Sequence, residues 1–272
     1  MMDRLLKISV ITPSFNQGEY LEETILSVLN QKYSNLEYIV MDGGSTDNSV
    51  EIIKKYEKHI AFWISEKDIG QSHAINKGFR KATGDVVAYL NSDDKYCPDV
   101  FYKIADLFNK DLECMWLCGN VIFIDEYGKI LLRKKSVYTP FILRYGTSSL
   151  YQPSVFIRRE VLNSVGLLRE DFHTIMDKEW FCRIAELYKP QITDLDISMF
   201  RWHPHSKSSS GRSTYHYKRY IEEVSDVSTR YLPSFSSLIR NFPIPTIFVF
   251  QLIARGIKFI ERLKVILGIA IR

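Results

Sequence analysis

Residues 86–94 pass from an uninterrupted apolar run, Val86-Val87-Ala88-Tyr89-Leu90, into four small polar side chains, Asn91-Ser92-Asp93-Asp94. A run this short and apolar predicts a strand buried on both faces of a parallel sheet. In open α/β sheets, ligands sit just beyond the carboxyl ends of the strands. Two adjacent carboxylates at that point repel each other beside a low-dielectric core unless a cation or a donor-rich ligand compensates them. Hard oxygen ligands with room for phosphate oxygens suit Mg²⁺ or Mn²⁺. Asp93 and Asp94 are therefore read as a divalent-metal site holding a phosphate-bearing substrate. The competing reading is an ordinary turn, where Asp and Asn are common.

Two further places carry residues suited to chemistry. Asp177 opens an apolar-periodic segment beside Trp180 and Phe181, with Glu179 two residues on. A carboxylate in that setting is a general base with a raised pKa, or a plain helix N-cap. His203 follows the last predicted strand, where it is either a metal or diphosphate ligand or a structural histidine.

The elements that must position these residues follow from apolar periodicity. Strands are predicted at Lys7–Thr12, Leu36–Met41, Ile60–Ser65 and Asp85–Asn91, and helices at Glu19–Gln31, after Ser45-Thr46, and at Gly70–Ala82. Alternation of strand and helix at this spacing is the pattern of a parallel sheet with helical crossovers. A helix after Pro98 then gives way to a β-rich section: Met115–Asp125, a turn at Gly128, a return strand Lys129–Arg133, and Ser154–Ile157. A short helix over Arg158–Val165, a helix after Asp177, and a strand Ile197–Trp202 complete the body. The polar loop His203–Gly211 has the composition of a lid.

The chain has 272 residues, 46% of them hydrophobic and 25% charged, enough for one large core. Its net charge of +4 is uneven: Leu238–Arg272 carries six basic residues against Glu261, a net of +5, which leaves the remainder near −1. A nucleic-acid-binding body would need a basic face of its own, so that class is excluded. Cys97, Cys114, Cys118 and Cys182 read as buried thiols in a reducing compartment, since nothing follows at zinc-site spacing. Met1-Met2-Asp3-Arg4 leads straight into a strand without a signal-peptide h-region, so the expected location is cytoplasmic. In the tail, Thr246–Ala254 is much shorter than a membrane span, and Lys258, Arg262 and Lys264 alternate with bulky apolar residues. That composition fits a basic amphipathic helix lying on the inner face of the cell membrane, or a helix packed on the body or on a second subunit.

Five stretches in one order carry a resemblance. They are Ser9-Val10-Ile11-Thr12-Pro13-Ser14-Phe15-Asn16, Asp42-Gly43-Gly44-Ser45-Thr46-Asp47, Asn76-Lys77-Gly78, Ala82-Thr83-Gly84-Asp85, and Asn91-Ser92-Asp93-Asp94. Together they resemble family 2 glycosyltransferases over about residues 7–205. The resemblance implies the GT-A fold, a Rossmann-like mixed and mainly parallel sheet flanked by helices. It also implies inverting transfer from a nucleotide-diphosphate sugar, with UDP the expected nucleotide, and a divalent metal.

By the same resemblance Asp42 accepts from the base or ribose, while Pro13, Ser14, Phe15 and Asn16 line that pocket. Asp68, Gly70 and Asn76 belong to the donor side, with Asp68 either pairing with the donor sugar or capping the third helix. Asn91, Ser92 and Asp93 face the diphosphate. Gln152 and Trp180 face the acceptor, though Gln152 reads equally as a strand cap. The family's Asp-x-Asp has Asn91 at its first position here, and Met176 stands where an acid precedes the base.

The resulting expectation is a glycosyltransferase domain over 1–212, with a nucleotide-binding half of about 1–97 and an acceptor half of about 98–212. Residues 213–272 would form a helical region that associates with membrane or with another copy in a homo-oligomer. The expected reaction moves a sugar to a glycan, lipid-linked on the evidence of the basic tail, in cell-surface polysaccharide biosynthesis. The alternatives are direct transfer to a polyprenyl phosphate and a non-catalytic nucleotide-sugar binder.

Overall fold

The computed structural model describes residues 5–145, 150–204, 206, 214–231, 249 and 252–253. The first strand, β1 (Ile8–Ser14), is buried along its whole length between two parallel neighbours, β2 (Leu36–Asp42) and β4 (Val86–Tyr89). β3 (Phe62–Ser65) extends the parallel half beyond β2. The order then runs β4, β8 (Val155–Arg158), β6 (Trp116–Ile124), β9 (Gln191–Arg201) and β5 (Lys95–Tyr96), with β7 (Ile130–Lys134) paired to β6. The second half is mixed: β8 is antiparallel to both β4 and β6, whereas β6 and β9 are parallel.

Two apolar layers cover the sheet. One is filled from α1 (Leu21–Leu29), α2 (Ser49–Tyr56) and α4 (Phe101–Lys110), the other from α3 (Gln71–Lys81), α5 (Pro140–Tyr145), α6 (Val161–Val165), α7 (Met176–Leu187) and α8 (Thr214–Tyr231). The unbroken apolar run of β4 follows from this: Val86 and Ala88 enter the first layer, Val87 and Tyr89 the second. Each such fully buried aliphatic side chain contributes roughly 1.5–3 kcal/mol. α3 lies tight on β1 because Gly78 has no side chain; a Cβ there would fall 2.4 Å from Ile11.

A buried carboxylate locks the amino ends of the first strands. Glu37 accepts from Lys7 Nζ (2.7 Å), Ser9 Oγ (2.5 Å) and the Thr83 N–H (2.7 Å). Burial alone would raise its pKa, but these donors outweigh burial and hold it down at about 2.

Most elements fall where periodicity predicts them. β4 ends at Tyr89, not Asn91, and β9 begins at Gln191, not Ile197, because its first half is polar and partly exposed. β5 and α5 are too short to carry a periodic signal. The four cysteines are buried free thiols. α8 lies beyond the expected boundary at 212, yet it buries Val224 and Val227 in the same layer as α7. Most of the basic tail, all of 238–272 except 249 and 252–253, and most of the lid loop, 205 and 207–211, lie outside the described residues. Among the described residues no helix is long and apolar enough to cross a membrane.

Candidate active site

The strand order places a switch point between β1 and β4: the chain winds outward to β2 and β3, then returns to the other side of β1. Crevices at such points are where α/β sheets bind ligands. Four segments meet at this one: the ends of β1, β2 and β3, and the turn Asn91–Asp94. Ser14 is buried there beside Asp42, its register partner, and Pro13 lies opposite Met41.

The first two loops are laced together. Asn16, in the left-handed region at φ 51°, donates its N–H to Ser45 Oγ (2.8 Å) and accepts the Thr46 N–H at Oδ1 (2.8 Å). The Gln17 N–H reaches Ser49 Oγ, and the Gly18 N–H reaches Asp47 Oδ2 (2.9 Å). Asp42 is almost wholly buried, and its carboxylate is occupied by its own loop. Oδ2 accepts from the N–H groups of Gly44 (3.1 Å) and Ser45 (2.9 Å) and from Ser65 Oγ (2.6 Å), and Oδ1 accepts from Ser45 Oγ (2.5 Å). Asp42 thus shapes its own loop at the end of β2.

What stays open beside it is Phe15, 59% exposed. Asp68 lies across from it, and Gly43 sits between them: a Cβ on Gly43 would come within 2.6 Å of Asp68 Oδ2 and 3.3 Å of Phe15 Cδ2. Asp68 also accepts the N–H of Gly70 (2.8 Å), whose φ of 132° begins α3. Asn76 is not part of this wall. It is buried in α3, pairing with the main chain of Leu168 in both directions and with Glu170 (2.9 Å). The helical repeat points it at the loop before α7, opposite to the donor side.

In the turn after β4 the four polar residues separate. Asn91 accepts from Gln71 Nε2 (2.7 Å) and donates to Gln152 Oε1 (3.3 Å), and Ser92 is buried with its carbonyl accepting from Thr24 Oγ1 (2.9 Å). Asp93 remains partly exposed, its Oδ2 3.1 Å from His203 Nε2. Asp94, expected as a second metal ligand, turns inward. It is 1% exposed, accepts the Arg201 N–H (2.9 Å) at Oδ1, and faces Asn91 Nδ2 at Oδ2. Burial, reinforced by the neighbouring Asp93 charge, pushes its carboxyl well above the usual range. Successive side chains of a tight turn diverge, so only one of the pair can face the crevice.

Among the described residues no group of three His, Cys, Asp or Glu side chains could close around a metal. Asp93 and His203 offer one carboxylate oxygen and one imidazole. That pair fits a cation whose remaining ligands are diphosphate oxygens and water, as Mg²⁺-type sites commonly are; it does not fit a closed protein cage.

Asp177 lies in the first turn of α7, half-buried. Burial raises its pKa above the usual carboxylate range; the Lys178 N–H, bonded at 2.8 Å, and the Lys178 ammonium oppose that rise, and Glu223 adds to it. Burial, with the charges of Asp177 and Asp94 adding to it, pushes the Tyr89 hydroxyl well above its usual range. Glu179, the alternative base, points the other way. Two helical residues are about 200° apart, and Glu179 is held by Arg183 Nε (2.9 Å) and Nη2 (2.8 Å), which also binds the Val165 and Leu167 carbonyls. Trp180 is core, not acceptor wall: it is 1% exposed, donates to the Gly166 carbonyl (3.0 Å) and packs on Phe79. Gln152 is likewise committed, donating to the Tyr89 carbonyl (2.7 Å) while accepting from Asn91.

Three supporting residues carry no motif of their own. Arg201, fully buried in β9, donates to the carbonyls of Asp93 (3.0 Å) and Glu126 (2.8 Å) and to Glu23 (2.8 Å), and stacks over Tyr20, which also packs on His203. Thr24 of α1 holds the carbonyls of Ser92 and Asp94. Glu223 of α8 accepts the N–H groups of His173 (2.8 Å), Thr174 (2.9 Å) and Ile175 (3.1 Å) and the Thr174 hydroxyl (2.5 Å), fixing the segment that leads into Asp177. The only advance signal is at Arg201, whose position directly before Trp202 and His203 marks it as part of the strand end.

With the geometry in place, comparison with known proteins is informative. The family described as "Glycosyl transferase family 2" matches residues 9–166. An uncharacterised glycosyltransferase of Nostoc sp. is 33% identical over 171 residues, covering 59% of this chain and 53% of that protein, so the chain spans about half that relative's length. TuaG of Bacillus subtilis, a putative teichuronic acid biosynthesis glycosyltransferase, is 29% identical over 189 residues, covering 61% of this chain and 73% of TuaG. Among solved structures, S. aureus TarS 1-349 in complex with UDP-GlcNAc superposes with a TM-score of 0.59 at 16% identity, covering 87% of this chain and 74% of that one. The mannosyltransferase PcManGT from Pyrobaculum calidifontis, in complex with GDP-Man and Mn²⁺, gives 0.61 at 18% identity, covering 92% and 74%. The fold these share with the present chain is GT-A.

Proposed function

Because the chain belongs to glycosyl transferase family 2, we propose that it moves a sugar from a nucleotide-diphosphate donor to a glycan with inversion, Asp177 acting as base. The observation that supports this reading is the switch point between β1 and β4, with Phe15 exposed at the end of β1 and Asp93 paired with His203 in the turn after β4. Phe15 and Asp68 take the nucleotide across Gly43. Asp93 and His203 would hold Mn²⁺ or Mg²⁺, which would supply positive charge against the departing diphosphate. Asp177 accepts the proton of the acceptor hydroxyl as that oxygen attacks the anomeric carbon from the face opposite the leaving group.

UDP is the expected donor nucleotide, TarS having been solved with UDP-GlcNAc, while PcManGT was solved with GDP-Man. A glycan acceptor accords with TuaG, named for teichuronic acid biosynthesis, and a lipid-linked one rests on the basic composition of 238–272, which would lie on the inner membrane face. The donor half would comprise about 1–97 and the acceptor half about 98–212.

Thermal stabilisation by a panel of UDP-, GDP- and dTDP-sugars with and without Mn²⁺ selects the donor, because binding raises stability by mass action. NMR of the transferred anomeric centre then reads the stereochemistry. Stabilisation by no nucleotide sugar, or retention at the anomeric carbon, overturns the proposal. Deleting 238–272 is expected to release the protein from membranes while donor hydrolysis survives.

A further inference from the structure

On the far half of the sheet, a cluster of aromatic rings, half-buried at Phe123 and Phe200 and exposed at Trp202, has no part in the chemistry above. Phe123 of β6 lies in register with Phe200 of β9 on one side and with Leu132 of β7 on the other. The ring centroids of Phe123 and Phe200 are 5.1 Å apart, those of Phe123 and Trp202 6.5 Å, and those of Phe123 and Tyr151 5.9 Å. Trp202 is 52% exposed and Leu132 41%, whereas Trp116 and Trp180 are buried. Leaving an indole half in water forgoes much of what its burial would contribute, and here the exposed ring stands next to the half-buried Phe123 and Phe200.

The cluster is joined to the site at both ends. Trp202 sits between Arg201 and His203, which turn to the Asp93 turn. Alternation along an extended chain puts residues 200 and 202 on one face and 201 and 203 on the other. Tyr151 immediately precedes Gln152, whose amide spans from the Tyr89 carbonyl to Asn91.

We propose that Trp202, Phe200 and Phe123, flanked by Leu132 and Tyr151, form an acceptor subsite that receives the C–H face of a pyranose ring. This rests on the acceptor being a glycan, as read above. A pyranose has a face of axial C–H groups and a rim of hydroxyls, so it covers the exposed Trp202 ring, with Phe123 tilted beside it at 46°, while its polar groups stay hydrated. Continuity with the crevice argues for a sugar of the acceptor in preference to a membrane or a second copy, neither of which needs the cluster to begin beside His203.

The test uses the full chain and saturation-transfer NMR with the methyl glycosides of glucose, galactose, mannose, rhamnose and N-acetylglucosamine. At least one is expected to show saturation concentrated on the protons of one ring face, weakened tenfold or more by Trp202→Ala and restored within about threefold by Trp202→Phe. Trp202→Leu keeps apolar bulk and removes the ring, so if the alanine variant misfolds the leucine variant decides. Equal saturation in all variants, or none across the panel, overturns the proposal. So does a Trp202→Ala protein whose lost property is instead sedimentation with phosphatidylglycerol–phosphatidylethanolamine vesicles or self-association. Nucleotide-sugar stabilisation measured on the same wild-type sample separates the two claims: its absence removes the proposed function and leaves the glycoside result to judge the subsite.

Discussion

Around Asp42 the bonds that shape the crevice are local: Ser45 reaches it from three residues away and Ser65 from 23, and the lacing of Asn16 to Ser45 spans 29. Around Asp177 they come from far off. Glu223 binds Thr174 across 49 residues and Asn76 binds Leu168 across 92, while Arg201 holds the inward Asp94 across 107. One side of the crevice is thus built by adjacent loops of a parallel sheet, the other by tertiary latches. Substitutions on the first side should act on the nucleotide they touch. Those on the second should reach the chemistry from residues that touch no substrate.

The largest expected effect sharpens this division at its centre. Asp177→Asn should lower kcat by about 10²–10⁴-fold while nucleotide-sugar stabilisation persists. Glu179→Gln should lower the melting temperature and leave most of kcat. The reverse pattern would break the assignment of the two carboxylates. The wild-type pH–rate profile carries the same information. Because burial raises the Asp177 pKa, activity should be lost on acidification at a pH above the ordinary aspartate value of about 3.9, as the base becomes protonated.

Next, Asp93→Asn should remove the metal-dependent part of donor affinity, about tenfold or more by isothermal titration with and without Mn²⁺. Asp94→Asn should mainly alter stability, since its oxygens face Arg201 and Asn91. Equal metal effects of the two variants would show that both carboxylates reach the cation.

Glu223→Ala breaks a latch, and it also removes a negative charge that adds to the rise of the Asp177 pKa. Loss of a buried carboxylate bonded to three N–H groups should cost on the order of 2–3 kcal/mol, read as a melting point lower by roughly 5–10 °C. kcat should fall several-fold with the donor KM unchanged. A change confined to the donor KM would erase the distinction between the two sides. The smallest effect is expected from Gly43→Ala: the added Cβ crowds Asp68 and Phe15, so the donor KM should rise a few-fold while transfer from bound donor proceeds.

The same division decides what the sequence could reveal. Strand ends on the donor side are legible because each apolar run stops at Gly, Asp or Ser, and one strand-to-helix unit explains one loop. The orientation of Asp94 is not legible, since two adjacent acids look alike until the main chain of Arg201 arrives to bind one of them. Asn76, Gln152 and Trp180 carry the right residue types for contact with sugars, yet all three are spent on packing and latching. Glu223 is silent in the sequence because nothing in its surroundings says which helix it will cap. β9 was half visible: Ile197–Arg201 is apolar enough to read, and Gln191–Asp196 is polar and partly exposed.

The central place of β1 has a consequence for the order in which the molecule assembles. Ile8 pairs with Leu36 on one side and with Val86 on the other. The first pairing closes a short loop, and the second must wait for a much longer one, whose entropy is lost before any contact is made. Asn91–Asp94 cannot reach the end of β1 until that second closure, and Asp94 cannot be capped until β9 delivers Arg201 later still. The loop around Asp42 is thus closed by contacts within residues 14–65, whereas the turn after β4 is among the last features to settle. A chain arrested before β9 would carry the loops around Asp42 and leave Asp94 without its main-chain donor.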